Sequence, residues 1–223
     1  MSEDNRKAIQ ISVRNLVEFV LRSGDIDNRR SVSAQKDAML AGGRIHRKIQ
    51  KRMGSGYRAE VPLKHEVQDE EQEITLLVEG RADGIFTENG IPVIDEIKGM
   101  YTDVSRLEEP IEVHLAQAMC YGYFYCCDKD LDGIRLQLTY CNLETEEIKR
   151  FQTDRSREEL ETWFSGVVHE YFKWARYLYH HELTRDASIG HLEFPFPYRA
   201  GQRDLVVSVY RTVSRKKRLF IQA

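Results

Sequence analysis

The sequence has no apolar run that approaches the about 18 residues a membrane-spanning helix needs, so no membrane partner is expected. Its first residues, Met1-Ser2-Glu3-Asp4-Asn5, are polar and acidic, unlike a signal peptide, and the expected location is the cytoplasm. Cysteine is sparse: Cys120, Cys126, Cys127 and Cys141 form no CxxC pair, and no secretory context makes disulfides an expectation. There is no excess of positive charge, because 33 Lys and Arg stand against 36 Asp and Glu, a net charge of −3. A chain of this balance is not a globally basic nucleic-acid binder, and any DNA contact must rest on local patches. No internal repeat, low-complexity tract or G-x-x-x-x-G-K-[ST] loop is present, so the chain alone is not expected to hydrolyse ATP. What remains is 223 residues, 41% hydrophobic and 31% charged, which fits one large globular domain with a fragment of another.

The chemistry concentrates in Gly80-Arg81-Ala82-Asp83-Gly84-Ile85-Phe86 and Ile91-Pro92-Val93-Ile94-Asp95-Glu96-Ile97-Lys98-Gly99. The first piece reads as an acid in a Gly-flanked turn. The second reads as a short strand on which Glu96 and Lys98 point one way, and Asp95 and Ile97 the other. If the two pieces pair as a hairpin across Glu88-Asn89-Gly90, Asp83 comes close to Glu96. Two carboxylates beside a lysine suit metal-assisted phosphodiester cleavage, with Mg2+ or Mn2+ held through oxygen and the ammonium stabilising charge that develops on the phosphate.

Around this centre, Ile11 to Arg22 reads as a core helix capped by Ser12 and closed by Gly24. Ser33 to Met53 reads as a second helix, interrupted at Gly42-Gly43 where another backbone or a ligand approaches. Six basic residues and no acid fall between Ala41 and Arg58, either a solvated face or a phosphate-binding one. Tyr57 to Val67 and Glu73 to Glu79 alternate as antiparallel strands joined by the acidic loop Gln68 to Gln72. A helix from Ile111 to Cys126 carries His114, Gln117 and Tyr121 on one face, which either lines a polar cleft or is a satisfied, partly buried stripe. Strands at Gly133 to Asn142 and Ile148 to Phe151 follow, then a long amphipathic helix from Ser156 to Leu183 whose aromatics read as core. This order predicts an α/β fold around a mixed sheet flanked by helices.

Four segments in this order resemble the PD-(D/E)xK nuclease superfamily, and within it the RecB-like exonuclease group, over roughly residues 10 to 185. They are Gly43-Arg44-Ile45-His46 on a helix, Gly80-Arg81-Ala82-Asp83, Ile94-Asp95-Glu96-Ile97-Lys98, and Gln117-Ala118-Met119-Cys120-Tyr121. The resemblance implies a restriction-endonuclease-like mixed sheet and a single-strand DNA exonuclease active in DNA repair or processing. It implies that His46, Asp83 and Glu96 ligate Mg2+ or Mn2+ with the Ile97 carbonyl, and that Lys98 orients or activates water. Gln117 and Tyr121 would position the strand or the lysine, and Glu60 would support the ligands. The basic helix around His46 then becomes a wall for the phosphate backbone. Some relatives carry an iron–sulfur cluster built on an early cysteine; none precedes Cys120 here, so no cluster is expected and Cys120 and Cys126 read as small apolar groups. The alternative is a catalytically inactive module of the same fold that binds DNA or docks a helicase.

The C-terminal stretch, Phe194-Pro195-Phe196-Pro197-Tyr198-Arg199-Ala200-Gly201-Gln202, precedes an amphipathic helix from Arg203 to Ser214 and an apolar strand, Arg218 to Ala223. It resembles the start of a superfamily-two helicase of the DinG/XPD type, with Tyr198-Arg199 and Gln202 in the adenine-sensing segment. The implied division is a nuclease domain over 1–190 and the opening of a helicase domain over 191–223, before its phosphate-binding loop. A helicase motor in the same longer chain is the implied partner.

Overall fold

A computed structural model describes residues 7–23, 32–69, 71, 73–193 and 195–222, except for the side chains of 32–39. In chain order its elements are strand β1 (Lys7–Ser12), helices α1 (Val13–Val20) and α2 (Val32–Arg52), strands β2 (Arg58–Gln68), β3 (Ile74–Glu88) and β4 (Ile91–Met100), helix α3 (Glu112–Lys129), strands β5 (Gly133–Asn142) and β6 (Ile148–Ser156), and helices α4 (Arg157–Ile189) and α5 (Gln202–Ser214). The chain divides into two compact units, Met1–Tyr179 and His180–Ala223. Among the described residues no helix is long and apolar enough to cross a membrane.

The fold is the expected mixed α/β sheet flanked by helices. The sheet runs β1-β3-β4-β5-β6, with β2 also paired to β3. Strands β2, β3 and β4 form an antiparallel meander, α3 carries the chain across to β5 parallel to β4, and β6 returns antiparallel to β5. Helices α1, α3 and the first part of α4 cover one sheet face, burying Leu16, Val17, Leu76, Val78, Phe124, Leu136, Leu138 and Phe164 in one cluster that also takes in Cys120 and Cys126. Helix α2 covers the other face through Ile45 and Ile49, against Ile97 and Cys141.

Local chemistry sets several boundaries. The Ser12 hydroxyl accepts the Asn15 amide at 3.1 Å and starts α1. Asn89 and Gly90, both with positive φ, close the β3–β4 hairpin. Ser156 and Glu159 cap α4 reciprocally, each side chain accepting the other's backbone amide.

Several expectations are corrected. The first helix is preceded by a strand, β1, that the short alternation of Lys7–Ser12 did not announce. It ends at Val20, and Gly24 lies outside the described residues, as do the side chain of Ser33 and residues Glu70, Gln72 and Phe194. Helix α2 runs unbroken through Gly42-Gly43. A Cβ on Gly99 of β4 would lie 3.5 Å from the Gly42 Cα, but a Cβ on Gly42 itself would meet nothing within 4 Å, so no close approach requires glycine there. Residues 80–84 form no turn but the middle of the 15-residue strand β3. Residues 218–222 form no strand, and Ala223 lies outside the described residues.

Candidate active site

The sheet contains a fork. Strand β2 occupies one edge of β3 from Thr75 to Ile85. On the other edge β1 pairs with Ile74 to Glu79, and β4 pairs with Gly84 to Glu88. On that second edge Gly80 to Asp83 are thus left without a ladder partner, where β1 ends and β4 veers off. Alternation also breaks here. The residues that β3 sends into the main core are Ile74, Leu76, Val78 and Ala82, and then Ile85, a step of three rather than two. Opposite, Glu60 of β2 adopts φ 53° and is skipped between the pairs Ala59↔Gly84 and Val61↔Ala82. Such irregularity re-aims a side chain. Here it turns Asp83 toward β4, where its Oδ2 accepts the Ile97 amide at 2.7 Å. Gln50 of α2 fastens the kink, donating to the Asp83 carbonyl at 2.9 Å and to Glu60 Oε1 at 3.2 Å.

Glu96 and Lys98 share a face of β4, as alternation dictates. The Lys98 ammonium donates to Glu96 Oε1 at 2.8 Å and to Gln117 Oε1 of α3 at 2.7 Å. Glu96 is 4% exposed, and its Oε2 is buried without a hydrogen-bond partner. Burial pushes its carboxyl up to about 7, against the pull of Lys98 and with help from the Asp83 charge. Tyr121, one helical turn beyond Gln117, lies over Gly80, where a Cβ would meet its hydroxyl at 2.6 Å. Burial, with the Glu96 and Asp83 charges, holds its phenol well above the ordinary range.

His46 of α2 completes the group from the other side, its Nδ1 3.3 Å from Asp83 Oδ1. Burial lowers its affinity for a proton, but the hydrogen bond and charge of Asp83 outweigh burial and raise it. A cleft of about 390 Å³ opens on the site, lined by Arg14, Glu18, Gly42, Gly43, His46, Lys98, Gly99, His114 and Gln117.

The structure thus joins His46 to Asp83, Asp83 to the Ile97 backbone, and Glu96 to Lys98 and Gln117. As the side chains stand, no three His, Cys, Asp or Glu among the described residues converge tightly enough to hold an ion. The reason is local: the Lys98 ammonium takes one oxygen of Glu96, and Asp83 is occupied by His46 and the Ile97 amide. The donor set nonetheless fits a hard divalent cation. Two carboxylates and an imidazole lie within electrostatic reach of one another, and Glu96 Oε2 is a buried acceptor with nothing to accept. The Ile97 carbonyl leaves the strand on the same side as its amide, toward Asp83.

Other residues sort differently. His114 is satisfied by the Tyr140 hydroxyl at 3.2 Å rather than by the site. Glu60 is exposed and reaches Gln50, not a ligand. Of the basic residues of α2, Lys48 and Arg52 pair with Glu146, while Arg44, Arg47 and Lys51 form no ion pair among the described residues. Sequence reasoning missed Gln50, Tyr57 and Asp95. Gln50 falls one turn after His46 on the same helix face, which is the signal that could have found it.

No protein-family model matches the chain, and neither does any curated protein sequence. Among solved structures, SSO0001 is similar with a TM-score of 0.47 and 18% identity, over 76% of this chain and 78% of that one. An alkaline exonuclease from Laribacter hongkongensis, LHK-Exo, is similar with a TM-score of 0.41 and 14% identity, over 78% of this chain and 94% of its own. The same exonuclease in complex with dAMP gives a TM-score of 0.41 and 13% identity, over 78% and 93%. Each is a partial likeness at low identity, and the chemistry of the site rests on its own side chains.

Proposed function

We propose that this chain is a metal-dependent nuclease of the PD-(D/E)xK type that hydrolyses DNA phosphodiesters, acting on single strands as an exonuclease beside a helicase motor in DNA repair or processing. The observation that carries the reading is the fork: Asp83, Glu96 and Lys98 face one another where two strands part, with a buried Glu96 oxygen left without a partner. His46, Asp83, Glu96 and the Ile97 carbonyl would hold Mg2+ or Mn2+, which supplies Lewis acidity toward the phosphate. Lys98, aimed by Gln117, places a positive charge where the phosphate gathers negative charge and can hold the attacking water. Tyr121 packs the β3 backbone beside Asp83 and so supports the acid.

The cleft beside His46, together with Arg44, Arg47 and Lys51, which form no ion pair among the described residues, supports a phosphate backbone as the ligand. For the helicase partner the support is the resemblance of the tail, where the Gln202 side chain accepts the Arg199 amide at 3.0 Å. The test is cleavage of end-labelled single-stranded DNA with Mn2+ or Mg2+. Wild type should cut, and Lys98→Ala should lose about 10²–10³-fold in kcat. Tight binding without cleavage by either protein would establish the inactive DNA-binding module instead.

A further inference from the structure

Asp95 points away from the face that carries Glu96 and Lys98, and the cleavage chemistry makes no use of it. Its side chain is fully buried, yet both oxygens are engaged. Oδ1 accepts from the Thr139 hydroxyl at 2.6 Å and from Gln137 Nε2 at 3.0 Å, and Oδ2 accepts from the Tyr57 hydroxyl at 3.0 Å. Gln137 in turn accepts from Gln152 at 2.8 Å. One carboxylate therefore ties β4 to β5, through Gln137 to β6, and through Tyr57 to the residue just before β2. A buried polar network whose members are satisfied rigidifies its surroundings.

The position of this knot matters. Gly84↔Asp95 is the last ladder pair of β3 with β4 on the approach to the fork. The Tyr57 ring lies over Gly84 so closely that a Cβ there would fall inside it. Beyond Asp95, Glu96 turns into the fork and the Ile97 amide takes Asp83. A strand that rotates or slips at this fulcrum exchanges its faces, moving Glu96 and Lys98 off the site.

We propose that Asp95 is a positioning residue: with Tyr57, Gln137 and Thr139 it clamps β4 at the fulcrum and fixes the aim of Glu96, Ile97 and Lys98, so that it sets cation affinity and turnover without touching DNA. The proposal rests on the cleavage reading above. Asp95→Ala opens the clamp. Asp95→Asn keeps its shape, since Oδ1 still accepts from Thr139 and Gln137 while the amide can donate to the Tyr57 hydroxyl.

The experiment is calorimetric titration of the purified protein with Mn2+, alongside steady-state cleavage of labelled single-stranded DNA. In Asp95→Ala, Mn2+ affinity and kcat should each fall about 10–100-fold, with KM for DNA unchanged. Asp95→Asn should restore most of the loss. The clamp is overturned if folded Asp95→Ala binds Mn2+ as tightly as wild type, or if Asp95→Asn is as weak as Asp95→Ala. Should Asp95→Ala fail to fold, Tyr57→Phe removes only the Oδ2 partner: weakened Mn2+ binding supports the clamp, and unchanged binding overturns it. A wild type that binds no Mn2+ sinks the cleavage reading itself, whereas one that binds Mn2+ while Asp95→Ala does so equally sinks the clamp alone.

Discussion

His114 and Gln117 sit one turn apart on the same face of α3, and nothing in their spacing tells which of them serves the site. Their partners do. Gln117 is buried and spends its carbonyl on Lys98. His114 faces Tyr140, whose hydroxyl accepts the Ile111 amide at 2.9 Å and so keeps its own proton for Nδ1 of a neutral imidazole. Burial, together with the Lys98 and Arg14 charges, pushes the His114 imidazole down to about 4. This folded-state value lies below the ordinary one of 6.5, so between the two the unfolded chain binds more protons. His114 therefore contributes stability that is present above about 6.5 and is lost as pH falls through about 4. Urea denaturation of wild type and His114→Gln across pH 4 to 7 should diverge in slope by at most about 1.4 kcal/mol per pH unit, with wild type losing more on the acid side. Parallel curves would mean that the imidazole titrates normally. The acid and lysine of the site were legible because strand alternation alone puts Glu96 and Lys98 together. Asp95 was not, because a carboxylate between Ile94 and Glu96 reads as one more strand-end acid until Thr139 and Gln137 arrive from another strand.

At the level of elements, the two glycines around Asp83 misled for a physical reason. Glycine in a strand marks either a turn or a place where something comes close, and the sequence does not say which. Here each receives a tyrosine ring: Tyr121 over Gly80 and Tyr57 over Gly84. Neither has positive φ, so the demand is for space rather than for an unusual backbone. One ring comes from 41 residues downstream of Gly80 and the other from just before β2, beyond the reach of any local pattern. Gly42 differs, lying inside α2 with open space where a Cβ would go. The three positions should therefore separate in a denaturation series. Gly80→Ala and Gly84→Ala each displace a ring and should lose about 1–3 kcal/mol. Gly42→Ala only removes backbone freedom from a helix and should gain about 0.5–1 kcal/mol. A Gly84→Ala protein as stable as wild type would mean that the Tyr57 ring does not pack on Gly84, and would remove one arm of the Asp95 clamp.

The whole molecule carries more acid than base, yet its cations are not spread evenly, and this decides how it can hold a polyanion. Helix α2 presents a basic, acid-free run beside the fork. Part of that charge is already committed, because Lys48 and Arg52 pair with Glu146 on the β5–β6 turn. Arg47 and Lys51 form no ion pair among the described residues, and with Gln50, Tyr57 and Ala59 they line a cleft of about 230 Å³, from which Gln50 reaches the Asp83 carbonyl. A strand entering the site along this cleft would exchange condensed counterions for these two side chains. Each phosphate neutralised on single-stranded DNA adds about 0.7 to the slope of log affinity against log salt concentration. Binding of a fluorescent single strand, followed by anisotropy without divalent cation so that nothing is cut, should therefore show a slope shallower by about 1.4 in Arg47→Ala/Lys51→Ala. Lys48→Ala should change it by less than about 0.7, since Glu146 already competes for that ammonium. If the double variant keeps the wild-type slope while Lys48→Ala flattens it, the strand runs on the Glu146 side of α2, and the cleft beside Tyr57 is not its path.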